Sequence, residues 1–197
     1  RKKNRSVIKD IFLTVNKQNV FLLVLKTSYD MADIFLESFG EKHLDRTFQW
    51  IQDENLKTDF MFTALVTKEG HRKWYKQYCE DKTQKIWAVY NHDVHVGNVG
   101  LKNIDLRNKK AEAWIYVGER QIQGKHIGSN TWLTLLKKMD FTALGLHKVY
   151  SHVASWNIAS RKMFLRAGFQ EEGILNDEVY FRGEYVTLYR FAIILNI

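Results

Sequence analysis

The sequence predicts an α/β fold of the α+β kind, a mixed sheet of about seven strands flanked by helices. Two observations carry this. Three strand patterns follow one another through tight turns in the middle of the chain, and strands then alternate with helices up to a closing strand pair. Runs of strands mixed with helices in this order argue for a mixed sheet with helical cover, not a doubly wound parallel one.

Taken in order, residues 4–16 have helical spacing (Val7, Ile8, Ile11, Phe12, Val15), and Asn19–Lys26 is a β-branched and leucine-rich strand. Asp45–Glu54 reads as a helix through Phe48, Trp50 and Ile51. Thr67 is an N-cap hydroxyl for a helix carrying Trp74, Tyr75 and Tyr78. Lys85–Tyr90, Val94–Asp105 and Lys110–Val117 are strands, turned at Asn91–Asp93 and Leu106–Lys109. A long amphipathic helix is expected from Ile127 to Leu144, ended by Gly145. His147–Val153 is a strand, Ile158–Ala167 a helix, and Phe169–Tyr180 with Tyr185–Ile194 the closing hairpin around Arg182-Gly183. The domain reading is an N-terminal extension over 1–18 and one domain over 19–197.

The chain has 197 residues, 45% hydrophobic and 26% charged, which is ordinary globular composition and excludes disorder as the main theme. No apolar run nears the roughly 18 residues of a membrane span. Cys79 is the only cysteine, so no intramolecular disulfide forms and a reducing, cytoplasmic setting is expected. No signal-peptide pattern follows Arg1, and a segment upstream of it is left open. A net charge of +8 suits a polyanionic small molecule. Nucleic acid is disfavoured, because the charge is spread and the basic clusters Arg1–Arg5 and Arg107–Lys110 are short. The seven histidines show no metal-ligand spacing, and no metal is expected.

The most informative stretch is Gln123-Gly-Lys-His-Ile-Gly-Ser129, between a strand and the long helix. A glycine-containing turn at a helix N-terminus gathers free N–H groups and the positive end of the helix dipole, which suits a pyrophosphate. A plain helix cap with incidental glycines is the alternative for the loop taken alone. Four ordered motifs decide against that. The loop resembles the R/Q-x-x-G-x-G/A signature of GNAT acetyltransferases. Leu144-Gly-Leu-His-Lys-Val-Tyr150 resembles that family's helix-to-strand crossing, and Asn157-Ile-Ala-Ser-Arg161 with Ala167-Gly-Phe169 its next helix. Gln170-Glu-Glu-Gly-Ile-Leu175 and Gly183-Glu-Tyr-Val186 resemble its two closing strands. Together they cover about Lys85–Ile194 and are closest to the branch acting on ribosomal-protein N-termini, polyamines and nucleotide-linked amino sugars.

The resemblance implies a GNAT-like, mostly antiparallel twisted sheet and an acetyl-CoA-dependent N-acetyltransferase, working by direct attack of a primary amine in a ternary complex. It implies that Trp114, Ile115, Tyr116 and Val117 line the pantetheine arm, and that Gln123, Gly124, Lys125, His126, Ile127, Gly128 and Ser129 take the pyrophosphate. Asn157 would touch the arm near the sulfur as a catalytic and cofactor-binding residue, with Ser160 beside it. His126 stands where a glycine is usual, so it either crowds the phosphates or faces solvent. Glu112, on the strand leading to the acetyl site, is the expected general base. Phe164 replaces a tyrosine that often serves as acid, leaving Tyr150 and Tyr189 as distant substitutes. A homodimer is compatible with the branch.

For the acceptor, the aromatic segments point to Trp50, His71, Trp74 and Tyr185, and Trp50 with His71-Arg-Lys-Trp74 resembles amino-sugar acetyltransferases. A nucleotide-linked amino sugar is therefore the expected acceptor. A protein N-terminus or a polyamine is the alternative, the latter needing carboxylates such as Asp53, Glu54 and Asp59. A silent CoA-binding module is the reading of another class, on His126, Phe164 and Thr187.

Overall fold

The computed structural model describes residues 34–138 and 144–195. The helix expected over 4–16, the strand expected over Asn19–Lys26 and the 1–18 extension lie outside them.

β1 (Ile34–Ser38) opens the described chain, followed by a 3₁₀ turn at Glu41–His43, α1 (Leu44–Trp50), α2 (Glu54–Asp59) and α3 (Lys68–Glu80). Next come β2 (Lys85–Asn91), β3 (Val94–Asp105), β4 (Lys110–Val117), a 3₁₀ turn at Arg120–Ile122 and α4 (Ile127–Lys138). β5 (Lys148–Ala154), α5 (Ile158–Arg166), β6 (Gln170–Phe181) and β7 (Glu184–Ile194) complete it. The seven strands form one sheet in the order β1-β2-β3-β4-β5-β7-β6, antiparallel at every junction except β4–β5.

Two differences from the sequence reading have simple causes. The helix expected over Asp45–Glu54 ends at Trp50, and a second short helix starts at Glu54, where Asp53 in extended geometry caps it by accepting the Asn55 amide. The seventh strand is Ile34–Ser38, which pairs with β2 along its whole length. α3 begins where expected, with Thr67 Oγ1 accepting the Gly70 amide.

Strand alternation gives the sheet two apolar faces. On one, Val99, Leu101, Ala111, Val149 and Phe191 meet Trp132 and Leu135 of α4 and Phe164 of α5. On the other, Ile86 and Ala88 meet Phe39, Leu44 and the aromatic rings of α3. Among the described residues no helix is long and apolar enough to cross a membrane.

Candidate active site

The site starts from a register that fails. β4 and β5 pair only at Lys110–Lys148, Ala111–Val149 and Glu112–Tyr150, and beyond Glu112 they diverge. The backbone of Trp114–Val117 facing β5 therefore has no strand partner on that side, while its other edge stays paired with β3 to Val117. Unpaired backbone N–H and C=O groups away from bulk water need partners, so the wedge is a ready receptor for an amide-bearing chain. The wedge opens into a cavity of about 870 Å³ lined by Ala113–Val117, the loop residues Ile122–Gly124 and His126–Ser129, Ser151–Val153 and one side of α5.

The loop closes one end. Gln123 Nε2 donates to the Val117 carbonyl at 3.0 Å, tying the loop to the end of β4. Gly124 turns the chain at φ 81° and His126 at φ 60°. Left-handed backbone is costly for histidine, and here Arg166 compensates, its guanidinium lying 3.0 Å from His126 Nδ1. His126 thus faces α5 and lines the cavity. Ser129 Oγ donates to the His126 carbonyl, so its hydroxyl is engaged within the first turn. Gly128 is small for another reason: a Cβ there would lie 2.5 Å from Met163 Sδ on α5. Lys125 is exposed and does not line the cavity. Lys162 and Arg166, one turn apart on α5, do line it and place positive charge beside the loop. The sequence reading missed both, although their i, i+4 spacing behind Asn157 was a usable signal. Arg166→Ala is expected to weaken CoA binding about three- to fivefold in low salt, the scale of a solvent-exposed charge contact, with the difference fading as salt rises. Calorimetric titration with CoA checks it.

Asn157 caps α5 by accepting the Ser160 amide at 2.9 Å, and both residues line the cavity. Phe164 is buried among Trp132, Phe169 and Phe191. Tyr150 and Tyr189 lie beneath the guanidinium groups of Arg190 and Arg161 and do not line the cavity.

Glu112 stands at the vertex of the wedge. It pairs with Lys102 at 3.2 Å, accepts from Asn103 Nδ2 at 2.9 Å and lies 3.4 Å from His152 Nδ1. A bulge in β3 between Lys102 and Asp105, with Asn103 at φ 51°, aims the amide at it. Burial pushes its carboxyl up, but His152, the Lys102 charge and Asn103 together outweigh burial and hold it at about 2. A carboxylate held this low is a weak proton acceptor, which argues against the general base expected at Glu112. Its depressed pKa stabilises the fold fully above the ordinary value of 4.5, and that stabilisation disappears as pH falls toward 2. Glu112→Gln should therefore trail the parent by about 3 kcal/mol at neutral pH, with the gap closing between pH 4.5 and 2 in denaturant titrations.

Asp59, at the end of α2, is exposed where it lines the same cavity, and partial desolvation there with the Asp53 charge pushes its carboxyl up. The neighbouring Phe60 packs edge-on against the Trp114 and Tyr116 rings, which positions Asp59 beside the wedge. Glu178 joins the lining from an irregular stretch of β6 between Leu175 and Val179. No ion pair engages Asp59 or Glu178 among the described residues.

The acceptor residues expected from sequence separate into three groups. Trp50 is buried; its indole lies against Gly118, where a Cβ would be 2.1 Å from the ring, and its N–H donates to Glu119. It braces the end of β4 and is not part of the wedge cavity's lining. Tyr185 is exposed beside Tyr180 on the closing hairpin and is not part of the wedge cavity's lining. His71 and Trp74 line a second chamber of about 440 Å³, which shares Trp114 and Tyr116 with the first cavity. Among the described residues, no group of three or more His, Cys, Asp or Glu side chains is arranged to hold a metal.

Among the described residues, the parallel pair β4–β5 thus opens into a wedge closed by a glycine loop at a helix start. The acetyltransferase (GNAT) domain family matches residues 33–170. The chain belongs to the GNAT acetyltransferases. This GNAT chain is 30% identical over 121 residues to the spermidine N(1)-acetyltransferase of Vibrio cholerae, covering 61% of this chain and 69% of that enzyme. It is 27% identical over 119 residues to the Escherichia coli K12 spermidine N(1)-acetyltransferase, covering 60% of this chain and 63% of the enzyme, so the match spans less than two thirds of that relative. The crystal structure of the V. cholerae spermidine N-acetyltransferase with CoA and spermine superposes with a TM-score of 0.75 at 24% identity, covering 82% of this chain and 95% of that one, a likeness of fold. The protein is a GNAT-type N-acetyltransferase. These relatives act by name on a polyamine and not on an amino sugar.

Proposed function

We propose that this chain transfers the acetyl group of acetyl-CoA to a primary amine of a polyamine-type acceptor. The observation that carries the transfer is the β4–β5 wedge, whose free backbone leads straight to the loop and basic side chains at its closed end. Free amides at the start of α4, with Arg166 and Lys162, fit a pyrophosphate, and the unpaired edge of Trp114–Val117 fits the amide-bearing arm. When bound, the thioester supplies the acetyl group. An amide of the open β4 edge donates toward its carbonyl oxygen and stabilises the charge that develops there.

An amine attacks only when neutral, so the site must take a proton from the ammonium. Asp59 is proposed for this. Its raised pKa makes it a better acceptor than Glu112, and it carries no competing cation. Glu112 keeps its charge and, through Lys102 and His152, fixes the vertex. Asn157 and Ser160 are proposed to position the arm from the first turn of α5. With Phe164 apolar, the departing thiolate takes its proton from solvent.

Two features support a polyamine: the spermidine-acetylating relatives, and the unpaired carboxylates of Asp59 and Glu178 facing a cavity whose other end is basic. This replaces the nucleotide-linked amino sugar expected from the aromatic segments, since Trp50 and Tyr185 line neither cavity. CoA-thiol release from acetyl-CoA should be measured with spermidine, ribosomal-protein N-terminal peptides and nucleotide-linked amino sugars. Release with spermidine well above the other two supports the reading. Release with another class moves the acceptor, and silence with measurable acetyl-CoA binding turns the chain into a binding module.

A further inference from the structure

The second chamber holds an unexplained atom. His71 is 5% exposed, and its Nε2 is buried with no hydrogen-bond partner. The ring is tied to the Leu44 backbone, which leaves Nδ1 as the nitrogen engaged there. It stacks on Trp74 at 5.1 Å between ring centres and 12° between planes, and Phe48 makes a tilted contact at 6.0 Å. Burial pushes the imidazole pKa down, so the ring is neutral near pH 7. With Nδ1 donating to a carbonyl, Nε2 presents a lone pair. A buried acceptor with nothing to accept from is destabilising, and a bound donor removes that cost.

The walls indicate what carries that donor. Phe39, Trp74, Ile86, Trp114 and Tyr116 make them largely aromatic and apolar, and no charged side chain lines the chamber. Trp114 and Tyr116 also line the acetyl cavity, so the chamber adjoins that cavity along these two rings. This shared wall is rigid. The two rings stack at 16°, the Tyr116 hydroxyl is held by Asn98 at 2.6 Å, and Gly100 leaves room for the Trp114 ring, which a Cβ would strike at 2.5 Å.

We propose that this chamber is the distal acceptor subsite, taking an apolar stem that ends in one N–H or O–H donor, received by His71 Nε2 between aromatic faces. The inference rests on the N-acetyltransferase reading and extends it to the part of the acceptor that does not react. A distal alkylammonium and a distal hydroxyl share this chemistry; the ammonium would gain additional attraction from the ring faces.

The test uses wild type, His71→Phe and His71→Gln with three acceptors of similar length: spermidine, an alkyl monoamine and an amino alcohol with a terminal hydroxyl. Far-UV circular dichroism and acetyl-CoA titration establish that each variant is folded. Phenylalanine keeps the buried ring and removes the lone pair, so KM for spermidine should rise about tenfold, with kcat within about twofold. KM for the monoamine should move far less, and His71→Gln, which restores an acceptor, should recover part of the loss. A KM increase for the amino alcohol alone would assign the subsite to a hydroxyl. Equal KM changes for all three acceptors, or none for a folded His71→Phe, overturn the proposal. Calorimetric titration of spermidine into the CoA-bound protein separates the two readings. Binding weakened by His71→Phe without turnover in wild type keeps the subsite and removes the enzymatic reading, and no binding by wild type removes the subsite.

Discussion

Asp59→Asn is expected to lower kcat for spermidine by about 10²–10³-fold at neutral pH, while acetyl-CoA binds as before. The size is that of losing a positioned general base. Asparagine preserves the shape of the side chain at the end of α2 and leaves Phe60 against Trp114 and Tyr116. It cannot take a proton. Partial desolvation holds the Asp59 carboxyl above its ordinary range, so activity in the parent should fall on acidification at a pH above that of a free carboxylate. That acid limb should vanish in the variant. A folded Asp59→Asn protein with turnover within threefold of the parent would transfer the proton to water or another group. Glu112→Gln provides the contrast, because a carboxyl already held at about 2 gives no limb in the working range.

Trp132→Ala should cost about 4 kcal/mol of stability, the range for emptying a tryptophan site in a core. Trp132 is fully buried, 5.5 Å from the Phe169 ring centre and 6.0 Å from that of Phe164. It joins α4 to α5 beneath the loop and the cavity, so the variant should also bind CoA more weakly wherever it remains folded. Trp132→Phe should cost far less than its volume loss implies. The Trp132 indole N–H is buried without a partner, and phenylalanine removes that unsatisfied donor along with the lost atoms. Urea unfolding of both variants checks the difference; equal losses would mean that the indole N–H contributes nothing.

Much of the fold was legible because strand and helix periods are local properties. Val94–Asp105 and Lys110–Val117 are strands with the expected ends, and the loop Gln123–Ser129 lies between β4 and α4. The split between α1 and α2 was not foreseen, since whether Asp53 caps a helix depends on the geometry its backbone adopts. The proton acceptor is hard to read from sequence for a related reason. Glu112 has the right residue type on the right strand, but its proton affinity depends on Lys102, Asn103 and His152, drawn from β3 and β5. Trp50 and His71 looked alike in sequence as aromatic-cleft residues. Contacts separated them: Trp50 is pressed on Gly118, whereas His71 keeps a free nitrogen in a chamber.

The sequence by itself determined the class of the protein: the order of strands and helices, the glycine loop before α4 and the four motifs that mark a GNAT acetyltransferase. Each is written in neighbouring residues, where backbone preference and side-chain periodicity act. Only the tertiary structure decided where β4 leaves β5, which carboxylate is pinned and which is free, and which histidine has an unused acceptor. Those properties come from groups distant in the chain brought within a few ångströms, where burial and nearby charge set proton affinity and hydrogen-bond supply.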